Sequence, residues 1–231
     1  MQVQEKNIKG FSLLEMLVVI AIIGIVSAAA YPRFSDWREE RQSRGAVIKI
    51  RNLMKTINAQ VQRGRYSFVQ VEIINTENNL IAISKGMKPG TLNNKVRDGT
   101  DAWNTDSSSR CSPTNDWDEA GGVTLIYEVQ QIVMEDATTT FEGSAAVCFG
   151  KNVRWFSGSG NFISGAGDDT TVDETMFICT RSDDQPLCAV DESSGEPNEV
   201  DTENLFALNW TRFGEITMDK WSSTFEDWVE Q

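Results

Sequence analysis

FSLLEMLVVIAIIGIVSAAAY, residues 11–31, is the stretch on which the reading of this chain turns. Apart from Glu15 and a few small polar positions it is apolar, and about 20 apolar residues in a helix cross the hydrocarbon core of a bilayer. Before it stands MQVQEKNIKG, a short polar leader with Lys6 and Lys9 against Glu5. A secretory signal peptide carries a shorter apolar region with its small-residue cleavage site behind it. Here the small residue, Gly10, comes first. A cut after Gly10 removes the basic leader and leaves the hydrophobic helix on the mature chain. The expected layout is a cleaved leader over 1–10, a long helix over 11–64 and a head over 65–231. Within the helix, 11–31 is the transmembrane or filament-core part.

Glu15 is the anomaly inside this run. A carboxylate at mid-membrane costs roughly 2.5–3.5 kcal/mol on insertion scales, so it needs a partner. Cleavage after Gly10 would free an α-amino group on Phe11, about one helical turn away. That amine is the natural cation, within the chain or on a neighbouring subunit. A plain anchor that tolerates one Glu is the simpler alternative for this residue taken alone.

The whole constellation carries more. Lys9-Gly10-Phe11-Ser12-Leu13-Leu14-Glu15 followed by an apolar helix resembles the class III signal of type IV pilins and type II secretion pseudopilins, with Gly24 and Pro32 placed as in that family. The resemblance covers residues 6–32. It implies cleavage between Gly10 and Phe11 by a prepilin peptidase, N-methylation of Phe11, and packing of the helix into a helical filament with other pilins or pseudopilins. It also assigns Glu15 to subunit recognition during assembly. The precursor is then a single-pass protein of the bacterial inner membrane, held in lipid and delivered to an inner-membrane assembly platform. Its N-terminus is cytoplasmic and its head periplasmic, until it joins a surface pilus or a periplasmic pseudopilus. Charge bias alone points the other way, because the Arg residues after the run outnumber the Lys residues before it. The family leader is read by dedicated machinery.

Pro32 removes the hydrogen bond to the Ala28 carbonyl and crowds that group, and Gly24 weakens the same span. Residues 24–32 are therefore where the helix is expected to kink or to melt in a polymer. Beyond Pro32, Val47, Ile50, Met54, Ile57 and Val61 step by three or four, one apolar stripe for docking on a head. Glu40 and Arg44 form an i,i+4 pair, and Arg63-Gly64 marks a helix stop.

The net charge of −13 is unevenly spread. Residues 11–64 hold Arg33, Arg38, Arg41, Arg44, Lys49, Arg51, Lys55 and Arg63 against only Glu15, Asp36, Glu39 and Glu40. The acidic excess falls on the head, which disfavours binding to nucleic acid. Histidine is absent, which excludes a Ser-His-Asp triad, a Cys-His dyad and a His-ligated metal within the chain. The four cysteines, Cys111, Cys148, Cys179 and Cys188, show no C-x-x-C spacing, and an even count in an exported chain favours two disulfides. Three connectivities are open. The short segment around Pro186 eases closure of Cys179–Cys188, which leaves Cys111–Cys148.

The head reads as strands and turns: 66–74, 79–84, a long polar loop over 86–122, then 123–134 and 138–149 as a long strand pair. A hairpin over 152–164 and strands at 175–180, 205–211 and 214–218 complete the antiparallel set, with an acidic loop over 181–204. The fold class is α+β, a long N-terminal helix packed on an antiparallel β head with long loops. The order of 147–165, 176–182 and 205–218 resembles the H-type pseudopilins and the FimU/FimT-type minor pilins. That resemblance implies a structural role, not an enzyme: a minor pilin, or alternatively a type II secretion pseudopilin, or a filament-tip adhesin or DNA-uptake pilin. FimT-like proteins bind DNA through a basic C-terminal segment, whereas here Lys220 faces Glu215, Asp219, Glu226, Asp227 and Glu230, so DNA is not an expected partner.

No cofactor fingerprint is present. Asp168, Asp169, Asp173 and Glu174 could offer oxygen ligands to calcium, but their spacing is not an EF-hand and a solvated acidic turn is the stronger reading. Gly158-Ser159-Gly160 lacks the G-K-[ST] of a phosphate loop and reads as a turn. Trp103 and Trp117 fall in the long loop, where exposed rings could meet a glycan, and Trp155 reads as core. Trp221, Phe225 and Trp228 at i, i+4, i+7 predict a short helix with three aromatics on one face. That helix packs back on the head's own sheet or docks on the next pilin.

Overall fold

The computed structural model describes residues 12–98, 110–113, 117, 129–151, 155–157, 174–182, 186–191, 195–198, 204–211 and 214–231, with side chains of 29–36, 98, 129 and 155–157 outside that set. The chain divides into two compact units, Met1–Glu39 and Glu40–Gln231. Helix α1 is continuous from Leu13 to Gln62, so Pro32 does not end it.

Ser12 starts α1. Its hydroxyl accepts from the Leu14 N–H at 3.3 Å and its carbonyl from the Met16 N–H at 3.2 Å, which satisfies donors that the first turn leaves open. In the first unit Leu13, Leu14, Met16, Leu17, Val18, Val19, Ile20, Ile22, Ile23, Ile25 and Val26 are all exposed. Among the described residues no helix is long and apolar enough to cross a membrane. The described side chains of the apolar run stop at Ala28, short of the roughly 20 residues a bilayer core takes. The expected 11–31 span begins at Phe11, outside the described set, and ends at Tyr31, whose side chain is outside it too.

In the second unit α1 turns one face inward. Val47, Ile50, Met54, Ile57 and Val61 are buried to within 2 % of zero exposure, joined by Ala46 and Leu53. The helix closes on Gly64 at φ 73°. The Arg65 N–H reaches the Gln60 carbonyl at 3.0 Å and the Gly64 N–H reaches that of Val61 at 2.9 Å, the paired bonds of a Schellman end that a Cβ would strain.

Two antiparallel sheets follow. The first has the order β3-β2-β1-β5-β6 and the second β10-β9-β8-β7-β4. In the first, β1 (Phe68–Asn75) lies between β2 (Leu80–Met87) and β5 (Gly143–Gly150), with β3 (Val129–Met134) and β6 (Trp155–Ser157) at the edges. In the second, β7 (Glu174–Thr180) and β8 (Phe206–Trp210) are central. β4 (Ala137–Thr139), β9 (Ile216–Ser222) and β10 (Asp227–Glu230) complete it. Alternate residues of both sheets join one core with the helix: Val69, Val71 and Ile73 from β1, Met176 and Ile178 from β7, Phe206, Leu208 and Trp210 from β8. The intervening residues face outward, as period-2 alternation requires.

Each outward face has its own cover, and each cover is bonded down by a disulfide. Cys111–Cys148 ties the segment around 110–117 to β5, where Trp117 stacks on Phe68 at 5.7 Å. Cys179–Cys188 ties the segment after β7 back onto it, over Phe177 and Ala207.

Four expectations are corrected. The 86–122 loop contains helix α2, Pro89–Asp98, with Pro89 in the first turn and Lys95 and Arg97 in the last, where dipole and φ suit them. Trp117 is 2 % exposed, and so offers no face to a glycan. Among the described residues the segments 123–134 and 138–149 do not pair with each other: β3 pairs with β2, and β5 with β1 and β6, while β4 leaves for the other sheet. The C-terminal segment is a hairpin, not a helix. Trp221 and Trp228 are cross-strand partners with rings 5.4 Å apart, Trp228 lies 5.3 Å from Phe177, and Phe225 sits exposed at the turn. Period-2 pairing beside β8 beats an accidental 3.6 spacing. Gly10, Phe11, Trp103, Asp168, Asp169, Asp173 and the Gly158–Gly160 turn lie outside the described residues, and the side chain of Trp155 does too.

Candidate assembly surface

Glu15 stands in the first turn of α1, exposed, with apolar side chains on both sides of it. A carboxylate in the first turn meets the positive end of the helix dipole, which is favourable by roughly 0.3–1 kcal/mol at an exposed site. Its proposed cation, the Phe11 amine, and the cut at Gly10 lie outside the described residues. At Gly24 a Cβ would meet nothing within 4 Å, so within one chain no packing demands glycine there. Pro32 lies within α1, its side chain outside the described set.

The second unit holds its helix by polar bonds that spacing could not announce. Glu40 pairs with Lys220 of β9 at 2.9 Å, Gln42 donates to Asp136 at 2.8 Å, and Ser43 shares a hydrogen bond with Thr180. Glu40 thus looks across the head to Lys220; no Glu40–Arg44 pair is seen among the described residues. Arg181 links the sheets. It donates to Asn75 Oδ1 and the Glu77 carbonyl, both at 2.7 Å, and burial pushes its pKa below the ordinary guanidinium value. Asn75 donates to Thr138 at 3.1 Å, and Thr138 donates to the Pro186 carbonyl at 2.7 Å. This chain of bonds fixes the end of β1, strand β4 and the second disulfide segment together. Nothing in the sequence patterning around Arg181 or Asn75 distinguishes them from solvated polar residues.

Two further charged surfaces lie among the described residues. On α1 and the turn after it, Asn52, Lys55, Thr56, Ala59, Gln60, Arg63 and Arg65 line a groove of about 450 Å³. Lys55 is pushed below the usual lysine value by burial and by the Arg51 charge. On the C-terminal hairpin, Asp219 is raised above the usual carboxylate value by burial and by Glu230, against a hydrogen bond from Asn209 at 2.6 Å. Among the described residues no group of His, Cys, Asp and Glu could hold a metal ion.

The chain therefore leads with a capped helix whose described apolar side chains are exposed, followed by an antiparallel α+β head. Residues 6–31 match the family signature described as the prokaryotic N-terminal methylation motif. The chain is 35% identical over 57 residues to a fimbrial protein of Pseudomonas aeruginosa and 40% identical over 57 residues to one of Moraxella nonliquefaciens. Each match covers 25% of this chain and 37% of the relative, so the chain spans little more than a third of the length of these relatives. It is also 26% identical over 148 residues to the type IV major fimbrial protein FimA of Dichelobacter nodosus, 64% of this chain and 79% of the relative. No solved structure matches significantly. Over its N-terminal region the chain is thus similar to the type IV fimbrial proteins.

Proposed function

We propose that this chain is a structural subunit of a type IV pilus, incorporated as a minor pilin, with no enzymatic role. One observation carries the reading. From Leu13 to Val26 the helix presents large apolar side chains on every side, Leu13 at 82 % exposure and Ile25 at 72 %. Sheltering each such side chain is worth roughly 1.5–3 kcal/mol, and the two coverings available are lipid before assembly and neighbouring helices after it. The leader 1–10 is removed by a prepilin peptidase, Phe11 becomes the methylated N-terminus, and the precursor waits in the bacterial inner membrane with residues 11–31 as anchor and its head in the periplasm. An inner-membrane platform then adds it to the other pilins of the filament. A fimbrial name on each relative cited above supports a pilus over the pseudopilus of a type II secretion system. A head as large and acidic as residues 65–231 supports the minor role.

Mass spectrometry of the protein in sheared filaments should find N-methyl-Phe11 as the first residue; an intact Met1 there overturns the reading. Glu15→Val should leave membrane insertion unchanged or improved, because a carboxylate leaves the apolar run. Its incorporation into filaments should fall at least tenfold as the Phe11 amine loses its partner. Assembly of the variant at wild-type level would remove Glu15 from the mechanism.

A further inference from the structure

The head carries an acidic aromatic tip and a basic groove toward opposite ends. The tip is the turn between β9 and β10. There Phe225 is 75 % exposed, Glu226 adopts φ 50° and Asp227 is exposed. Below it, Trp221 and Trp228 pair across the hairpin and Trp228 leans on Phe177. The tip is therefore held by a half-buried aromatic base, and an exposed ring held this way loses little conformational freedom on docking. The groove is the one lined by Lys55, Ala59 and Arg63, with Arg51 adding its charge from the previous turn of the helix.

Position keeps the two apart within one chain. β9 meets the helix where Lys220 bonds to Glu40, just before the strand ends at Ser222, so the turn lies on the Glu40 side of the head. At 1.5 Å per residue, Lys55 and Arg63 lie about 22 and 34 Å farther along α1.

We infer that the tip of one copy, Phe225 with Glu226 and Asp227, seats in the Lys55–Arg63 groove of a second copy of this chain. The carboxylates meet the cations, and the ring lies over the alkyl stems and Ala59, within reach of a cation–π contact with Arg63. Different patches meet in such a contact, so it is heterologous and propagates from copy to copy instead of closing a dimer. The inference rests on the filament reading for the ordering of the heads. Its consequence is that this subunit enters a filament in runs of consecutive copies.

The test mixes full-length chains carrying ¹⁴N and ¹⁵N, in detergent and in filaments, and applies a carbodiimide, which joins an amine to a carboxylate in direct contact. Peptides linking Lys55 to Glu226 or Asp227 should contain both isotopes. Arg63→Glu should lower their yield about tenfold, and Phe225→Ala should lower it without unfolding the chain. The reversed pair Lys55→Glu with Asp227→Lys should restore coupling. Lys55 linked only within its own chain, to another protein's carboxylate, or to neither residue overturns the inference. Filaments that contain the chain but give no mixed link defeat this contact alone. Mixed links in detergent from a chain absent from filaments defeat the filament reading alone.

Discussion

The two disulfides perform the same task, fastening a cover on the outer face of a sheet, but they close loops of different length. Cys111–Cys148 spans 37 residues and Cys179–Cys188 spans 9. A cross-link stabilises mainly by removing loop-closure entropy from the unfolded chain, as −2.1 − 1.5R ln n cal/mol/K. At 25 °C this gives about 3.8 kcal/mol for the long loop and about 2.6 kcal/mol for the short one. Both sulfurs of the long bridge are fully buried, so alanine is the replacement that strands no polar group there. The Cys111→Ala/Cys148→Ala double variant should therefore lose more stability than Cys179→Ala/Cys188→Ala, by about 1.3 kcal/mol on the same scale. Urea unfolding of the full chain in detergent, followed by tryptophan fluorescence, reads the difference as stability extrapolated to water with the slope fitted for each variant, because opening a cross-link expands the unfolded chain. Equal losses, or a greater loss from the short bridge, would refute the entropic account. Stability would then lie in the local bonds of the short segment, where Thr138 donates to the Pro186 carbonyl and the Cys188 N–H to that of Thr139.

Gly86 faces the ring of Tyr66, and a Cβ there would stand 2.8 Å from Cδ2 of a residue that is 1 % exposed. Gly86→Ala should cost about 1–3 kcal/mol by overpacking, read as a lower urea midpoint, while a neutral result would mean that the ring has room to retreat. Asp219, raised in the fold by burial and Glu230, binds its proton more tightly folded than unfolded. Its contribution is present below the ordinary aspartate value near pH 4 and is lost as pH rises through the raised value. Asp219→Asn should flatten the decline in stability over that interval, checked by thermal melts from pH 3 to 7; an unchanged slope assigns the decline to other groups.

Much of the architecture was legible because it rests on periodicity and on local chemistry. The stripe from Val47 to Val61 named the helix face that is buried, since only one face of a 3.6-residue helix can meet a sheet. Gly64 named the end of α1, because the closing residue must take a positive φ. The exclusion of histidine chemistry and the family-like leader around Gly10, Phe11 and Glu15 required no folding at all. Strands β1, β2, β7, β8 and β9 could be placed within a few residues from alternation alone.

What alternation does not encode is which strand is the neighbour. Strand β4 belongs to the second sheet and β3 and β5 to the first, although they are consecutive in the chain, because pairing energy depends on backbone registers set by distant segments. The same blindness turned Trp221, Phe225 and Trp228 into a helix: their spacing fits only the helical period, and the pairing of β9 with β8 and β10 brings Trp221 and Trp228 together across a hairpin instead. Arg181, Asn75 and the Glu40–Lys220 pair gained their roles only when the tertiary fold brought residues far apart in sequence to within 3 Å. The sequence by itself determined the apolar leading helix and the methylation-motif match around it, since these depend on contiguous residues. The tertiary structure alone decided the two-sheet division, the disulfide-bonded covers and the separation of acidic tip from basic groove, since these depend on long-range contacts whose partners no local pattern names.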